Sequence, residues 1–368
     1  MKDLQYYAMY FTMMSSIKFT KMHGLGNDFV VIDDLGTPLN QAWTEVRDDG
    51  LSRRGLGHVP LLDDHSSAVT PSFARSICDR RFGVGADQVL WLRKPHDDSL
   101  DVRMEILNSD GSVAEMCGNG IRAIALYMDR RYKKRNDRYK GKHEGKSHDE
   151  PSDKRHGGEL DTTELSEFRV ETLAGVKTVK VRGDQVAVDM GLAQLGAGFA
   201  GADGNAGVDK YAGFSGADGN AGGGVTGVKN AGKIMELNGK EYRFYEVNVG
   251  NPHAVFFVED VARFPVEELG PLVERHPFFP NRTNVEFVQV LNPHAIRVRV
   301  WERGAGITLA CGTGACASAV ASLATGRTDG EVDVELPGGH LKISWNGLSA
   351  PIMMEGAATE VFEGIYFI

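Results

Sequence analysis

The sequence has few cysteines for its length, and their spacing does not match a disulfide or metal framework. Cys78, Cys117, Cys311 and Cys316 are the four cysteines in 368 residues, and none form a Cys-x-x-Cys pair. No cluster of His and Cys has the spacing of a zinc site. We therefore expect free thiols, a reducing compartment and no bound metal.

Signals for membranes, nucleotides and nucleic acids are also missing. No apolar run approaches the length of a membrane span, and no glycine-rich stretch matches a phosphate-binding P-loop. The first 16 residues contain one lysine and no arginine, a poor match to a signal or transit peptide. The net charge of -9 argues against nucleic acid as the main partner. We predict a cytoplasmic protein, or a plastid one if its source is photosynthetic.

The remaining composition is that of an ordinary globular protein. Hydrophobic residues make up 42% of the chain and charged residues 25%. A chain of 368 residues is long enough for two domains, each with its own core.

One stretch occurs twice, at residues 103–120 and 297–314. Each copy contains an apolar strand, a polar residue, a turn with glycine, and the sequence Cys-Gly-x-Gly. The cysteine follows the polar residue by nine positions in both copies, from Asn108 to Cys117 and from Glu302 to Cys311. Small and apolar residues come next, so we predict both cysteines at helix N-termini.

This duplication predicts a specific chemistry. A helix N-terminus offers unpaired N–H groups and partial positive charge, which suit a carboxylate and are expected to lower a thiol pKa. Two facing half-sites would place two thiols on opposite sides of one ligand. One thiolate could remove a proton from a carbon while the other thiol protonates the opposite face, which inverts that carbon. Simple burial would explain a lone cysteine, but it does not explain the repeated context.

Other polar residues lie where predicted strands meet turns. Asn27 falls in a turn expected over residues 23–29, and Gln88 begins a strand after a glycine-rich turn. Asn251 and His253 interrupt two apolar strands, and Asn284 lies near the start of another. Each is a candidate ligand contact, and each could equally be a structural turn residue.

Three segments are predicted to be inserts, at about 34–72, 131–166 and 195–235. The first is polar without a clear period, and the second is densely charged. The third contains a glycine-rich tandem duplication within residues 197–222, for which we expect a surface loop without a core.

Taken together, the motifs resemble the diaminopimelate epimerase family. The resemblance rests on these stretches, which occur in the family's order: residues 19–29, 78–88, 108–122, 250–253, 284–287, 301–306, 310–316 and 336–339. It implies an α+β fold with two similar domains, each a mostly antiparallel sheet wrapped around a central helix. The domains would comprise residues 17–193 with 356–368, and residues 194–355. The site would lie in the cleft between them, and the C-terminal strand would return to the first domain.

The resemblance also implies the reaction and its residues. The chain would interconvert LL-2,6-diaminopimelate and meso-diaminopimelate without a cofactor, as a homodimer, in the synthesis of lysine and peptidoglycan precursors. Cys117 and Cys311 match the catalytic acid and base, and His253 and Glu302 match residues that support them. The positions that match substrate contacts are Asn27, Gln88, Asn108, Gly118, Asn119, Asn251, Asn284, Glu302, Arg303, Gly312 and Thr313.

One position departs from the family pattern, and other functions stay open. Ile307 stands where the family usually has glutamate. A proline-racemase-like enzyme would also use two cysteines, but it would have no need for Arg303 together with Asn108 and Asn284. A non-catalytic amino-acid-binding protein of the same fold is another alternative. A cysteine hydrolase needs one nucleophile and a histidine base, which leaves the second thiol unexplained.

Overall fold

The computed structural model describes residues 16–35, 69–133, 165–196, 199 and 232–368. Its helices there are α1 Pro71–Cys78, α2 Gly118–Met128, α3 Val266–Glu274 and α4 Gly312–Ala324, and a π-helical turn, Asp129–Lys133, follows α2. None of these helices has the length and hydropathy of a membrane span. The strands are β1 Ser16–Gly24, β2 Asn27–Asp33, β3 Gln88–Arg93, β4 Val102–Asn108, β5 Val113–Ala114, β6 Ser166–Thr172, β7 Gly175–Arg182, β8 Gln185–Asp189, β9 Gln194–Leu195, β10 Lys233–Leu237, β11 Lys240–Asn248, β12 Pro252–Phe257, β13 Asn284–Asn292, β14 Ala295–Glu302, β15 Gly306–Thr308, β16 Glu331–Leu336, β17 Gly339–Ser344, β18 Met353–Ala357 and β19 Thr359–Phe367.

The two halves of the chain repeat one pattern of strand pairing. In the first half, β1 pairs with β2, β2 with β3, β3 with β4, and β4 with both β5 and β6. In the second half, β11 to β16 repeat these pairings in the same order and orientation. Helices α2 and α4 occupy equivalent places, directly after β5 and β15. The repeat found in 18 residues of sequence therefore extends to the whole fold.

Strand pairing also joins the two halves. β8 pairs with β18, and β9 pairs with β11. The C-terminal β19 pairs with β1, which confirms the predicted return of the last strand to the first half. The domain boundaries stay a prediction, and the one at residues 355 and 356 lies inside β18.

The two long helices form the centre of the core. Every residue of α2 is buried, and in α4 only Thr313 is partly exposed. Most residues of α4 are Gly, Ala, Ser or Cys, so the surrounding strands can approach its backbone closely. The larger apolar side chains of the inner core each contribute about 1.5–3 kcal/mol by leaving water. This arrangement confirms the predicted α+β fold with sheets around central helices.

The two short helices cover the outer faces of the sheet. Helix α1 packs mainly on β3 and β4, while α3 packs mainly on β13, β14 and β15. The sequence sets the start of α1 because the Thr70 hydroxyl accepts a hydrogen bond from the Phe73 N–H at 3.2 Å and Pro71 follows it. In the chain, α1 connects the parallel strands β2 and β3, and the turn after it leads to Asp87 and to Gln88 at the start of β3.

The bounds of the three inserts stay a prediction. Helix α1 begins at Pro71 and β6 begins at Ser166, so the first two predicted inserts overlap regular structure at their ends. The third insert begins within β9 and ends within β10, and Phe199 is buried against Tyr245 with ring centroids 5.3 Å apart. The rest of the tandem duplication lies outside the described residues, as do residues 1–15.

The turn that presents Asn27 is shorter than predicted. Strand β1 continues to Gly24 and β2 begins at Asn27, which leaves a two-residue hairpin turn. Both turn residues have positive φ, +55° at Leu25 and +83° at Gly26. A turn of this kind matches the twist of the strands it connects. It holds Asn27 rigidly at the beginning of a strand.

Candidate active site

Two cysteines cap the two central helices. Cys117 is the N-cap of α2 and Cys311 is the N-cap of α4, as predicted from the sequence. Each Sγ accepts a hydrogen bond from the backbone N–H three residues later, at Gly120 and Gly314, with distances of 3.3 Å. The two thiols are therefore placed by the same local geometry.

The N-termini of these helices touch each other. A Cβ atom added to Gly118 would lie 3.4 Å from the Cα of Gly312, and one added to Gly312 would lie 3.3 Å from the Cα of Gly118. The side chain of Met354 lies against both glycines, 3.2 Å from each added Cβ. Glycine at these two positions allows the backbones to approach, and the duplicated half-sites face each other.

The thiol pKa values are raised, so the expectation of lowered values was wrong. Burial raises the pKa of Cys117 to about 11, although the N–H of Gly120 favours the thiolate. Burial also raises the pKa of Cys311 well above its usual value, and the nearby Glu302 and Glu286 carboxyls add to this effect. Loss of water around the sulfur outweighs the helix N-terminus. Both thiols are protonated at neutral pH in the ligand-free protein.

Asn27 lies beside the first thiol. The Cys117 thiol donates to Asn27 Oδ1 at 3.5 Å, and Asn119 Nδ2 donates to the same oxygen at 3.3 Å. The Asn27 amide nitrogen donates to Asp87 Oδ2 at 2.8 Å, so the amide oxygen is held towards the thiol. Asn119 also donates to the carbonyl of Ala310 at 3.0 Å, which connects the two half-sites directly.

A network of charges holds Asp87 in place. Arg80 bridges Asp87 and Asp28, with N–O distances of 2.8 and 2.7 Å, and Lys21 contacts Asp28 at 2.7 Å. Burial alone would raise the pKa of Asp28, but the hydrogen bonds from Arg80 and Lys21 lower it to about 2. This network fixes the orientation of Asn27.

Glu302 lies beside the second thiol. Burial raises its pKa, against hydrogen bonds from Thr308 and Cys311 that favour the ionised form. The Thr308 hydroxyl donates to Glu302 Oε1 at 2.5 Å. Ile307, the departure from the family pattern, lies next to Thr308 in β15 and is 39% exposed. The strand therefore keeps Thr308 directed at Glu302 despite this substitution.

His253 is connected to the Cys311 thiol by a chain of hydrogen-bonded side chains. Its Nδ1 lies 2.7 Å from Glu286 Oε1, and its Nε2 lies 2.9 Å from Asn251 Oδ1. Because Asn251 Nδ2 donates to the Thr313 hydroxyl at 3.4 Å, its oxygen faces the imidazole and Nε2 carries a proton. The Thr313 hydroxyl is 3.5 Å from Cys311 Sγ. The imidazole is fully buried, and this chain of hydrogen bonds connects it to the thiol.

The remaining predicted contacts hold one another in place. Gln88 Nε2 donates to Asn108 Oδ1 at 2.8 Å, across the paired start of β3 and end of β4. Asn284 donates to the carbonyl of Pro252 at 3.1 Å and accepts from the Arg303 N–H at 2.9 Å. The Arg303 residue itself is exposed, and its guanidinium donates only weakly to the carbonyl of Asn281, at 3.4 Å. That guanidinium is available to a ligand.

Three residues of the site had no assigned role in the sequence prediction. Asp87 orients Asn27, Glu286 contacts His253, and Arg122 donates to Asn119 Oδ1 at 2.8 Å. A signal existed for two of them, because Glu286 interrupts an apolar strand and Arg122 an apolar helix. A charged residue in such a position is rarely buried unless it has a specific partner.

No metal centre is found in the described parts of the chain. No three or more His, Cys, Asp or Glu side chains are arranged there to hold an ion. The arrangement instead provides two thiols at helix N-termini that contact each other, together with hydrogen-bonding side chains. These groups suit an anionic ligand whose carbon is approached from both sides.

Comparison with known proteins is consistent with this arrangement. The chain matches the family model described as diaminopimelate epimerase over residues 51–147 and 245–361. It is 40% identical over 355 residues to diaminopimelate epimerase 1 of a Nostoc species, which covers 95% of this chain and 99% of that protein. It is 38% identical over 351 residues to the diaminopimelate epimerase of Cupriavidus taiwanensis, which covers 95% and 96%.

Solved structures share the fold at low sequence identity. A hydroxyproline epimerase from Agrobacterium vitis, with bound trans-4-hydroxy-L-proline, has a TM-score of 0.57 at 15% identity and covers 96% of this chain and 91% of its own. A probable proline racemase from Agrobacterium radiobacter has a TM-score of 0.53 at 14% identity, covering 95% and 92%. These similarities establish the fold alone.

Proposed function

The chain belongs to the diaminopimelate epimerase family, and we propose that it interconverts LL-2,6-diaminopimelate and meso-diaminopimelate by proton transfer between two thiols. The observation that carries this proposal is the contact between two helix N-termini, each capped by a cysteine. The product would serve the synthesis of lysine and peptidoglycan precursors. The proposed reaction uses neither a metal nor pyridoxal phosphate.

The substrate's reacting carbon would lie between Cys117 and Cys311. Its α-carboxylate would accept hydrogen bonds from the backbone N–H groups of Gly118, Asn119, Gly312 and Thr313. Preorganised N–H donors of this kind also stabilise negative charge as the α-proton leaves. One thiolate takes that proton, and the opposite thiol donates its own proton to the other face. The two cysteines exchange roles when the reaction runs in reverse.

Glu302 would generate the thiolate at Cys311. Both thiols are protonated in the ligand-free protein, so one of them must lose a proton before the α-carbon can be attacked. The Glu302 carboxylate is next to Cys311 and can take that proton. His253 would support the same half-site by fixing Asn251 and, through it, the Thr313 hydroxyl.

The distal end of the substrate carries a second amino-acid head group. The exposed guanidinium of Arg303 can bind its carboxylate bidentately. Amide side chains can bind both the carboxylate and the ammonium group, and we propose this role for Asn27, Gln88, Asn108, Asn251 and Asn284. A substrate without a distal head group, such as proline, would leave these groups unused.

The proposed substrate can be tested by direct conversion. Purified, reduced protein would be incubated separately with LL-diaminopimelate, L-proline and trans-4-hydroxy-L-proline, without added cofactor, and the products separated by chiral chromatography. We expect conversion of diaminopimelate alone, unchanged after treatment with a metal chelator or a carbonyl reagent. Conversion of an imino acid alone would favour a proline-racemase-like enzyme. No conversion of any substrate would favour a binding protein.

We also propose that the chain forms a homodimer through β19. Among the described residues this strand pairs with β1 alone. Val361, Phe362, Ile365 and the neighbouring Ile368 are each between 44% and 54% exposed. Exposed apolar side chains on such a strand favour pairing with another chain.

A charge introduced on this strand is expected to separate the dimer. Light scattering should give twice the chain mass of 40.1 kDa for the wild type and one chain mass for Ile365→Glu. Val176→Glu is the control, because Val176 is 48% exposed on β7 and lies outside the proposed interface. A monomeric wild type, or an Ile365→Glu variant that stays dimeric, would contradict the proposal.

A further inference from the structure

Arg122 is a buried charge at the centre of the site. Arg122 is fully buried in α2, about one turn after Cys117. The guanidinium donates to the Gly118 carbonyl at 3.2 Å, to Asn119 Oδ1 at 2.8 Å and to Met354 Sδ at 3.5 Å. Its Nε has no hydrogen-bond partner, and no carboxylate of a described residue pairs with the side chain.

The fold makes room for this side chain despite its cost. An added Cβ on Gly24 would lie 3.3 Å from Arg122 Nη2, and one on Gly356 would lie 3.5 Å from Nε. Burial lowers the pKa of Arg122 only to about 10, so it stays charged at neutral pH. An unpaired buried charge is destabilising, and similar apolar side chains often stabilise a protein in its place. Structural stability therefore does not explain why a charge is present here.

The Arg122 guanidinium lies next to the contact between the two helix N-termini. Arg122 contacts Met354, which also contacts both Gly118 and Gly312. The charge of Arg122 favours the ionised forms of two thiols, those of Cys117 and Cys316. Of these two, Cys117 faces the proposed substrate. No described residue thus supplies the negative charge that would balance Arg122, and such charge would arise where the proposed reaction takes place.

We propose that Arg122 is the fixed counter-ion of the reaction centre, and that its charge stabilises the Cys117 thiolate and the negative charge that forms on the substrate when the α-proton leaves. This role rests on the proposed two-thiol reaction. Arg122 does not touch the reacting atoms, so it is a positioning residue that acts through its field and through Asn119. A charge that is balanced only in the transition state favours that state over the resting one.

The test measures the Cys117 thiolate without substrate. Iodoacetamide alkylation at pH 8.5, quantified at the Cys117 peptide by mass spectrometry, reports the thiolate fraction because the thiolate is the reactive form. The variants are Arg122→Met, which removes the charge at similar length, and Arg122→Lys, which restores a cation. Arg130→Met is the control, because it removes the same charge from a partly exposed side chain that pairs with Glu360 at 3.6 Å.

We expect Arg122→Met to slow alkylation of Cys117 by about 3- to 10-fold, as a pKa rise of up to one unit would. Arg122→Lys should recover part of that loss, and Arg130→Met should match the wild type. Equal rates in Arg122→Met and the wild type would overturn the proposal, as would an Arg122→Lys variant no faster than Arg122→Met. If Arg122→Met does not fold, as judged by circular dichroism, Arg122→Gln provides the neutral variant.

Turnover separates this proposal from the proposed function. We expect kcat for diaminopimelate to fall by about 10²-fold in Arg122→Met, with a smaller change in KM, because the charge acts mainly in the transition state. An inactive wild type with the expected alkylation pattern would reject the proposed function and leave the effect of Arg122 on the thiol intact. An active wild type with unchanged alkylation and kcat in Arg122→Met would reject the counter-ion alone.

Discussion

Cys117→Ser and Cys311→Ser are each expected to lower the rate of epimerisation by about 10³-fold or more, since a positioned acid or base typically contributes 10²–10⁴-fold and the base step is lost. A serine hydroxyl fits either N-cap, so the helix and the backbone N–H groups would stay in place. Its much higher pKa prevents it from taking the α-proton. Each thiol serves one face of the carbon, so neither can replace the other.

The other two cysteines provide the control for this prediction. Cys78 and Cys316 are buried and lie outside the contact between the helix N-termini, so Cys78→Ala and Cys316→Ala should retain most of the wild-type kcat. Chiral chromatography of the diaminopimelate isomers measures all four variants. Near wild-type turnover by either serine variant would show that the two-thiol mechanism is wrong.

Glu302→Gln is expected to lower kcat by about 10²-fold, the usual range for a proton-transferring side chain. Glutamine preserves the shape of the buried side chain but cannot accept the Cys311 proton. The ionised carboxylate is the active form and burial raises its pKa, so wild-type activity should rise with pH through that raised value. The acidic limb of the pH profile should be absent in Glu302→Gln.

Thr308→Val sharpens the test of Glu302. It removes the 2.5 Å hydrogen bond that favours the ionised carboxylate, so the pKa of Glu302 should rise further. The acidic limb of the activity profile should therefore move to higher pH while the maximal rate is largely kept. An unchanged acidic limb in both variants would assign it to another group and would contradict the role of Glu302.

The sequence was sufficient to predict the architecture around the two thiols. The repeated Cys-Gly-x-Gly context placed Cys117 and Cys311 at helix N-termini, and both are N-caps in the structure. Local patterns carry this information because a cap, a glycine and the apolar run after them are close in sequence. The roles proposed for Asn27, Asn251 and the other contacts stay predictions from family resemblance.

What the sequence could not provide was the environment of each charge. The thiol pKa values rise because residues from both halves of the chain bury the sulfurs, and this depends on long-range contacts. Arg122 was visible as a lone cation in an apolar helix, but the lack of a carboxylate partner appears only once the strands around α2 are in place. Electrostatic environment depends on tertiary structure more strongly than does helix position.

The most direct test of the two-thiol mechanism is the fate of hydrogen during the first turnovers in D₂O. Both thiols exchange with solvent, so the thiol that donates to the inverted carbon would carry deuterium. NMR and mass spectrometry at low conversion of LL-diaminopimelate should find one deuterium in nearly every meso product, while the remaining substrate keeps its α-proton. Meso product that retains the original α-proton would require a single base acting on both faces, and it would contradict the proposed roles of Cys117 and Cys311.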